Sequence, residues 1–423
     1  MKVSCSQEDL SKGLAVVGRA VATRAVLPIT NNVLIATEGS RLRLAATNLE
    51  IAISCWIPAT IEKEGTVTIP ARLVTDFVNS LPSGQQIAMA LSPRSRSVEL
   101  RCARHEAHIS GLDPADFPAI PKITDGMNVK VKPGDLRLAI NQVGFAAASE
   151  ESRPVLTGVH AEFEGEQLTL AAADGFRLAV RKVALAKVVD TKMAIIIPSR
   201  SLTELNRLIS EQEEPVDLTV NSQKSQVMFH MVPTPKVKFL CDTCKFDWEN
   251  SCHRRERPNA RECKEYESRG EQKGPSGIEK IEMVSQLIQG TFPNYSQLIP
   301  KSYSTRAVIK LAEFLRATKS ASIFARDGSG IVRLQIMPKD GKGKIAISAR
   351  AEEIGDNMGE VDATVEGEEA KIAFNSKYLM DVLGVIAKEE VALETTTSSS
   401  PGVIRPVGDE SYIHIVMPMF VQW

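Results

Sequence analysis

Leu10, Leu14, Val17 and Val21 recur at i, i+4, i+7 and i+11, an apolar stripe that predicts an amphipathic helix over residues 7–22. Residues 32–37 and 41–46 read as strands around the turn Glu38-Gly39-Ser40. A further strand ends at Pro70, and a second helix is expected over 72–81. The pattern then returns, divergent but in register, 126 positions downstream. Asp9-Leu10 recurs as Asp135-Leu136, Pro28 as Pro154, Leu44 as Leu170 and Asn48 as Asp174. The helical stripe recurs as Leu136, Ile140, Val143 and Ala147; Pro198 and a helix over 200–210 follow at an offset of 128. One supersecondary design is used twice, and its strand-rich halves with short helices indicate an α+β fold.

A third copy is more divergent. Glu313-Phe314 takes the place of Asp-Leu, Lys377 aligns with Arg72 and Arg200, and Asp381 aligns with Asp76 and Glu204. The step from second to third copy is about 178, or 52 more than the first step, so the chain carries an insertion, residues 232–280, with no counterpart elsewhere. Three sheet-containing units in series leave unpaired edges at the first and last unit. Joining the front edge of one chain to the rear edge of another is a heterologous contact that closes a ring if the rotation allows; a monomeric arc with blunted edges is the alternative.

Composition bounds the rest. A length of 423 residues suits three domains of about 140 residues. The net charge of −1 makes no global appeal to nucleic acid, so any such contact must be local. The expected helices carry Lys12, Arg19, Arg72, Arg137, Arg200, Arg207, Arg316, Lys319 and Lys377. Such residues commonly form a solvated face, and their repetition at matched positions offers the alternative of a lining that meets phosphates. The start of the chain has no apolar signal segment and no stretch long enough to span a bilayer, so a cytoplasmic protein is expected. No nucleophile–base arrangement stands out, and Gly341-Lys342-Gly343-Lys344 lacks the remainder of a phosphate loop. His105 and His108 are three apart on an expected strand and face opposite ways.

The insertion holds Cys241, Cys244, Cys252 and Cys263, a C-x2-C-x7-C-x10-C spacing in a segment poor in aliphatic residues. Four thiolates suit a structural zinc, whose binding would supply roughly 10–16 kcal/mol of folding free energy; an iron–sulfur cluster or a metal-free redox loop are the alternatives. Cys5, Cys55 and Cys102 are scattered and read as buried strand residues.

Several strings resemble the bacterial DNA polymerase III beta subunit, the sliding-clamp family. They are Arg153-Pro154-Val155-Leu156-Thr157-Gly158, Ala173-Asp174-Gly175-Phe176-Arg177-Leu178-Ala179, Gly290-Thr291-Phe292-Pro293-Asn294-Tyr295, Phe374-Asn375-Ser376-Lys377-Tyr378-Leu379 and Val416-Met417-Pro418-Met419. They run in family order and cover everything except the insertion. The resemblance implies a DNA-clamp fold of three repeated domains, 1–122, 127–300 and 301–423, with sheets outside and helices inside a head-to-tail dimeric ring. It implies a non-catalytic processivity factor that needs no cofactor. Its partners would be a second copy, duplex DNA without sequence preference, the polymerase III catalytic subunit, the clamp loader and other proteins with a clamp-binding motif. Client peptides would bind between the second and third domains, at Leu156, Gly175, Phe176, Arg177, Leu178, Pro293, Leu298, Ile415, Met417 and Met419. Read without the family, Asp174-Gly175 is a turn, and Met417 and Met419 are strand core residues. Arg24, Arg72 and Arg200 match the family's DNA-contacting or basic inner positions. The chain departs from the family at its end, where Phe420-Val421-Gln422-Trp423 is longer and more apolar. Two readings from other classes are a monomeric adaptor using the same cleft and an enzyme built around the four cysteines.

Overall fold

The computed structural model describes residues 1–22, 27–92, 96–150, 152–233, 277–325, 330–339, 342–351 and 355–423. Arg24 and the four clustered cysteines therefore lie outside the described residues, and so does nearly all of the insertion.

The first repeat contributes β1 (Lys2–Ser6), α1 (Gln7–Val17), β2 (Asn32–Glu38), β3 (Arg41–Thr47), β4 (Ile51–Pro58) and β5 (Thr60–Lys63). It continues with β6 (Thr66–Pro70), α2 (Ala71–Ser80), β7 (Gln86–Leu91), β8 (Ser97–Cys102) and β9 (His105–Ser110). The second has β10 (Met127–Val131), α3 (Pro133–Val143), β11 (Gly158–Ala173), β12 (Arg177–Pro198), α4 (Ser199–Leu208), β13 (Val216–Val220), β14 (Gln226–Met231) and β15 (Lys280–Gln286). The third opens with β16 (Thr305–Lys310), α5 (Leu311–Ala325), β17 (Ile331–Lys339), β18 (Lys342–Ala351) and β19 (Gly355–Gly367). It closes with β20 (Ala370–Asn375), α6 (Ser376–Val385), β21 (Glu390–Thr395), β22 (Gly402–Pro406) and β23 (Tyr412–Val416). No helix among the described residues is long and apolar enough to cross a membrane.

The chain divides into two compact units. The first comprises Met1–Asn128, Leu208–Ser222 and Gln226–Ser285. One of its sheets runs β5-β1-β7-β8-β9, and in another β13, β14, β15, β4, β3, β2 and β6 follow in that order. Leu10, Leu14 and Val17 of α1 are buried, as are Leu44, Ile53 and Cys55 of β3 and β4. Gly13 lets α1 approach closely, because a Cβ there would lie 2.6 Å from Leu44 Cδ1. Cys5, Cys55 and Cys102 are buried thiols; burial, aided by Asp9, pushes the Cys5 thiol up to about 12. The second unit comprises Val129–Arg207, Gln223–Ser225 and Gln286–Trp423. Its ten-stranded sheet runs β11-β12-β23-β22-β21-β16-β19-β18-β17-β20.

The repeat is reproduced in strand register. Asn32 faces Pro70 between β2 and β6, and Gly158 faces Pro198 between β11 and β12. Leu42 faces Ile57, and Leu168 faces Val183. Each pair in the second repeat is the first-repeat pair displaced by the offsets of 126 and 128 visible in the sequence. Register holds because a one-residue slip would turn every buried side chain of the strand to the opposite face.

The first helix is shorter than its apolar stripe predicts. It starts where expected, with Ser6 Oγ accepting from Asp9 N at 3.4 Å and Glu8 and Asp9 complementing the dipole of the first turn. It stops at Val17; Gly18–Ala20 tighten into a 3-10 turn, and Val21 is extended. Ala22 N then donates to Thr30 O at 3.3 Å, a bond outside the helix. The second repeat does the same: α3 ends at Val143, a 3-10 turn covers Gly144–Ala146, and Ala148 N donates to Leu156 O at 2.8 Å.

Candidate peptide-binding surface

Every residue expected at the client surface lies in the second unit. The turn Asp174-Gly175-Phe176 joins β11 to β12. Gly175 has φ +94, a left-handed conformation that favours glycine. Asp174 closes the turn, its Oδ1 accepting from Phe176 N at 2.9 Å and Arg177 N at 3.0 Å. This holds Phe176 outward, 58% exposed.

Arg177 is the opposite case, 9% exposed. Its Nε donates to Asp174 Oδ2 at 3.0 Å, one terminal nitrogen to Asp381 Oδ2 at 2.6 Å, and the other to Phe145 O at 2.7 Å. The guanidinium also lies 4.5 Å from the Tyr378 ring centroid and 5.2 Å from that of Phe145. Its charge is matched by two carboxylates of its own chain, so Arg177 ties the turn to α6. Burial raises the Tyr378 hydroxyl above its ordinary range, with the charge of Asp174 adding to it.

The floor is built by strand pairing. Leu178 faces Ile415 between β12 and β23, and both belong to an apolar cluster with Ala171, Val180, Val403 and Ile413. Leu156 belongs to a neighbouring cluster with Ile196 and Phe292. Ala173 and Tyr295 pack against both clusters and join them. Tyr295 is held by aromatic neighbours, with ring centroids 6.2 Å from Phe292 and 6.0 Å from His160. Pro293 is exposed, and Leu298 is exposed at the end of the short turn Ser296–Leu298. Beyond β23, Met417 N donates to Phe176 O at 2.8 Å and Met419 N to Ala373 O at 2.8 Å. Met417 is thus exposed beside Phe176 and is not a strand core residue.

The expected residues therefore form a buried apolar floor of Leu156, Leu178 and Ile415 and an exposed apolar rim that includes Phe176, Leu298 and Met417. Sequence reasoning left out Tyr295, Tyr378 and Asp381 as parts of this surface. Tyr295 and Tyr378 stood inside the strings that carried the resemblance; the tie between Arg177 and Asp381 had no local signal.

The candidate DNA residues lie elsewhere. Arg72 and Arg200 are exposed at the second position of α2 and α4, and Lys377 holds the matching place on α6. Arg72 makes one long pair with Asp76, at 3.9 Å. The aligned acids have diverged in use: Glu204 pairs with Arg207 and Asp381 with Arg177.

Comparison with known proteins bears on the whole chain. Models of the DNA polymerase III beta subunit match its N-terminal domain to residues 1–121, its central domain to 130–239 and its C-terminal domain to 296–420. The beta sliding clamp of Staphylococcus aureus is 29% identical over 410 residues, covering 95% of this chain and 94% of that protein. That of Synechocystis is 28% identical and covers 99% of each. Among solved structures, the DNA polymerase sliding clamp of Bacillus subtilis is similar with a TM-score of 0.84 at 27% identity, over 100% of both chains. The DNA polymerase III beta subunit of Pseudomonas aeruginosa gives 0.82 at 25% identity, over 99% of this chain and 100% of that one. With all three domain models matched in order and the sliding-clamp fold reproduced end to end, this chain belongs to the DNA polymerase III beta subunit family, the sliding clamps, which are non-catalytic processivity factors.

Proposed function

We propose that two copies of this chain close head to tail into a ring around duplex DNA. In this reading the ring lies in the cytoplasm and comprises domains 1–122, 127–300 and 301–423 of each copy. The carrying observation is a pairing rule that the chain follows twice. In the first unit, β4 takes as its outer neighbour β15, the last strand of the next repeat, with Ile51 facing Ser285 and Cys55 facing Ile281. In the second unit, β12 takes β23, again the last strand of the next repeat, with Arg177 facing Val416 and Arg181 facing Tyr412. The two registers correspond: Ile51 and Cys55 lie 126 positions before Arg177 and Arg181, and their partners Ser285 and Ile281 lie 131 positions before Val416 and Tyr412.

The third repeat's counterpart of β4 is the upstream part of β19. It pairs with β18 on one side, while β16 reaches only Ala363–Gly367 on the other. At the other end of the chain, β9 pairs with β8 and is the last strand of its sheet. One open edge of each kind remains among the described residues, and open edges invite pairing. Applying the rule between copies puts β9 of one chain against β19 of the next, with Ile109 opposite Gly355, Ala107 opposite Asn357 and His108 opposite Asp356. The exposed Ile323 on α5, a helix packed on β19, would add apolar contact to the seam.

Arg24, Arg72 and Arg200 would meet the phosphates of the enclosed duplex. Phosphate contacts carry no sequence information and so permit sliding. The polymerase catalytic subunit, the clamp loader and other clients would insert apolar anchors over Leu178 and Ile415, between Phe176 and Met417. The clamp itself needs no cofactor. The spacing of Cys241, Cys244, Cys252 and Cys263 supports one structural zinc in the insertion, to be counted by elemental analysis of the purified protein.

Topology supplies the decisive test. The protein loaded onto closed circular DNA should stay bound through gel filtration at moderate salt and be lost when the circle is cut. Equal retention on both forms would replace the ring with the monomeric adaptor.

A further inference from the structure

We infer that the segment after Met419 adds a separate aromatic station to the client surface, and that it takes peptides whose apolar anchor is flanked by an aromatic residue and acidic residues. This deepens the client-peptide reading and rests on it.

The segment is positioned, not loose. Met419 N donates to Ala373 O on β20, the final strand of the ten-stranded sheet. Farther along, the Trp423 ring centroid lies 5.9 Å from Lys371 Nζ. The segment thus leaves the edge of β20 beside Ala373, and its last ring lies beside the Lys371 side chain of the same strand. Covering a sheet edge would account for the Met419 bond and for the placement of Trp423. It does not account for Phe420, which is 89% exposed, or for the 52% exposure left to Trp423. These two rings stand three and six residues beyond Met417 on the same chain end, and aromatic side chains left this exposed suit an interaction site.

Charge identifies the partner. The carboxylates within the surface, Asp174 and Asp381, are both engaged by Arg177. Lys371 and Lys377, both exposed, flank the rim, and neither is in an ion pair among the described residues. Arg177 with its two carboxylates sums to −1, and the two lysines turn the balance positive, which complements an acidic peptide. An aromatic side chain of that peptide can stack on Phe420 or Trp423 at small entropic cost.

The test uses the full-length protein and fluorescently labelled synthetic peptides, read by anisotropy. One is a short peptide with leucine and phenylalanine anchors. Two others add a tryptophan and two glutamates, at the N-terminal or the C-terminal end. One of the lengthened peptides should bind about tenfold tighter than the short one. Replacing both rings (Phe420→Ser with Trp423→Ser) should abolish that gain while leaving the short peptide within about twofold of its original Kd. Lys371→Glu should reduce the gain without affecting the short peptide. If neither extension helps, or if the double variant weakens short and long peptides equally, there is no separate station. A short peptide that fails to bind, or that is indifferent to Met417→Ala, instead removes the client reading itself and this inference with it.

Discussion

Arg177 is joined to Asp381 across 204 positions of sequence and to Asp174 across three. Replacing it with alanine leaves two carboxylates without their common partner in a mostly buried place, a loss of roughly 3 kcal/mol. Urea unfolding should show that loss, and Arg177→Lys should not restore it, because an ammonium cannot span both acids and the Phe145 carbonyl in one plane. Unchanged stability in the alanine variant would show that the tie is dispensable. His414 poses a second question of charge. It is fully buried against the ring of Phe145, 5.4 Å between centroids, and neither ring nitrogen has a hydrogen-bond partner among the described residues. Burial, reinforced by the Arg177 charge, lowers its pKa to about 3. An unfolded histidine takes up its proton near pH 6.5, so its contribution to stability is present above that pH and lost as pH falls towards 3. Glu282 acts in a lower window. Burial pushes its carboxyl up, but His230 and Lys280 outweigh burial and hold it at about 2. Its contribution is therefore present above the ordinary carboxylate range and lost as pH falls towards 2. His414→Phe should flatten the unfolding midpoint between pH 6.5 and about 4.5 and leave the more acidic loss in place. An unaltered pH profile would contradict the burial argument.

At the scale of elements, most of the chain was legible. The strands around Gly39 and the helices after Pro70 and Pro198 stand within a residue or two of where periodicity and punctuation put them. These signals are local, and a period of two or of 3.6 is complete within a few residues. The end of α1 was not legible in the stripe, since Val21 keeps the helical spacing but lies beyond the helix. The missed signal was Gly18 and its repeat partner Gly144, poor helix formers at the same place in both copies. Both have right-handed φ, and Gly18 has open space around its missing Cβ. Gly18→Ala should therefore raise stability by about 0.5–1 kcal/mol in chemical denaturation. A loss instead would mean that the chain needs the glycine's freedom to leave the helix.

For the whole molecule, the pairing rule predicts a specific seam. With Ala107→Cys and Asn357→Cys in one chain, oxidation should yield a covalent dimer, because opposed strand residues lie within the Cα separation a disulfide tolerates. Either substitution alone should yield none. Monomer in all three cases would rule out this register. The sequence by itself determined the repeat, the α+β class, most element positions and the location of the insertion, because these depend on short-range pattern and on comparing the chain with itself. It also pointed, through five short strings, to the residues proposed as the client surface. Only the tertiary structure decided how those residues divide into floor and rim. Arg177 became a buried tie, Met417 an exposed contact, and Tyr295 the link between two apolar clusters. Those roles depend on which groups meet across long stretches of chain, and burial and ion pairing are settled by such partners, which no local pattern specifies.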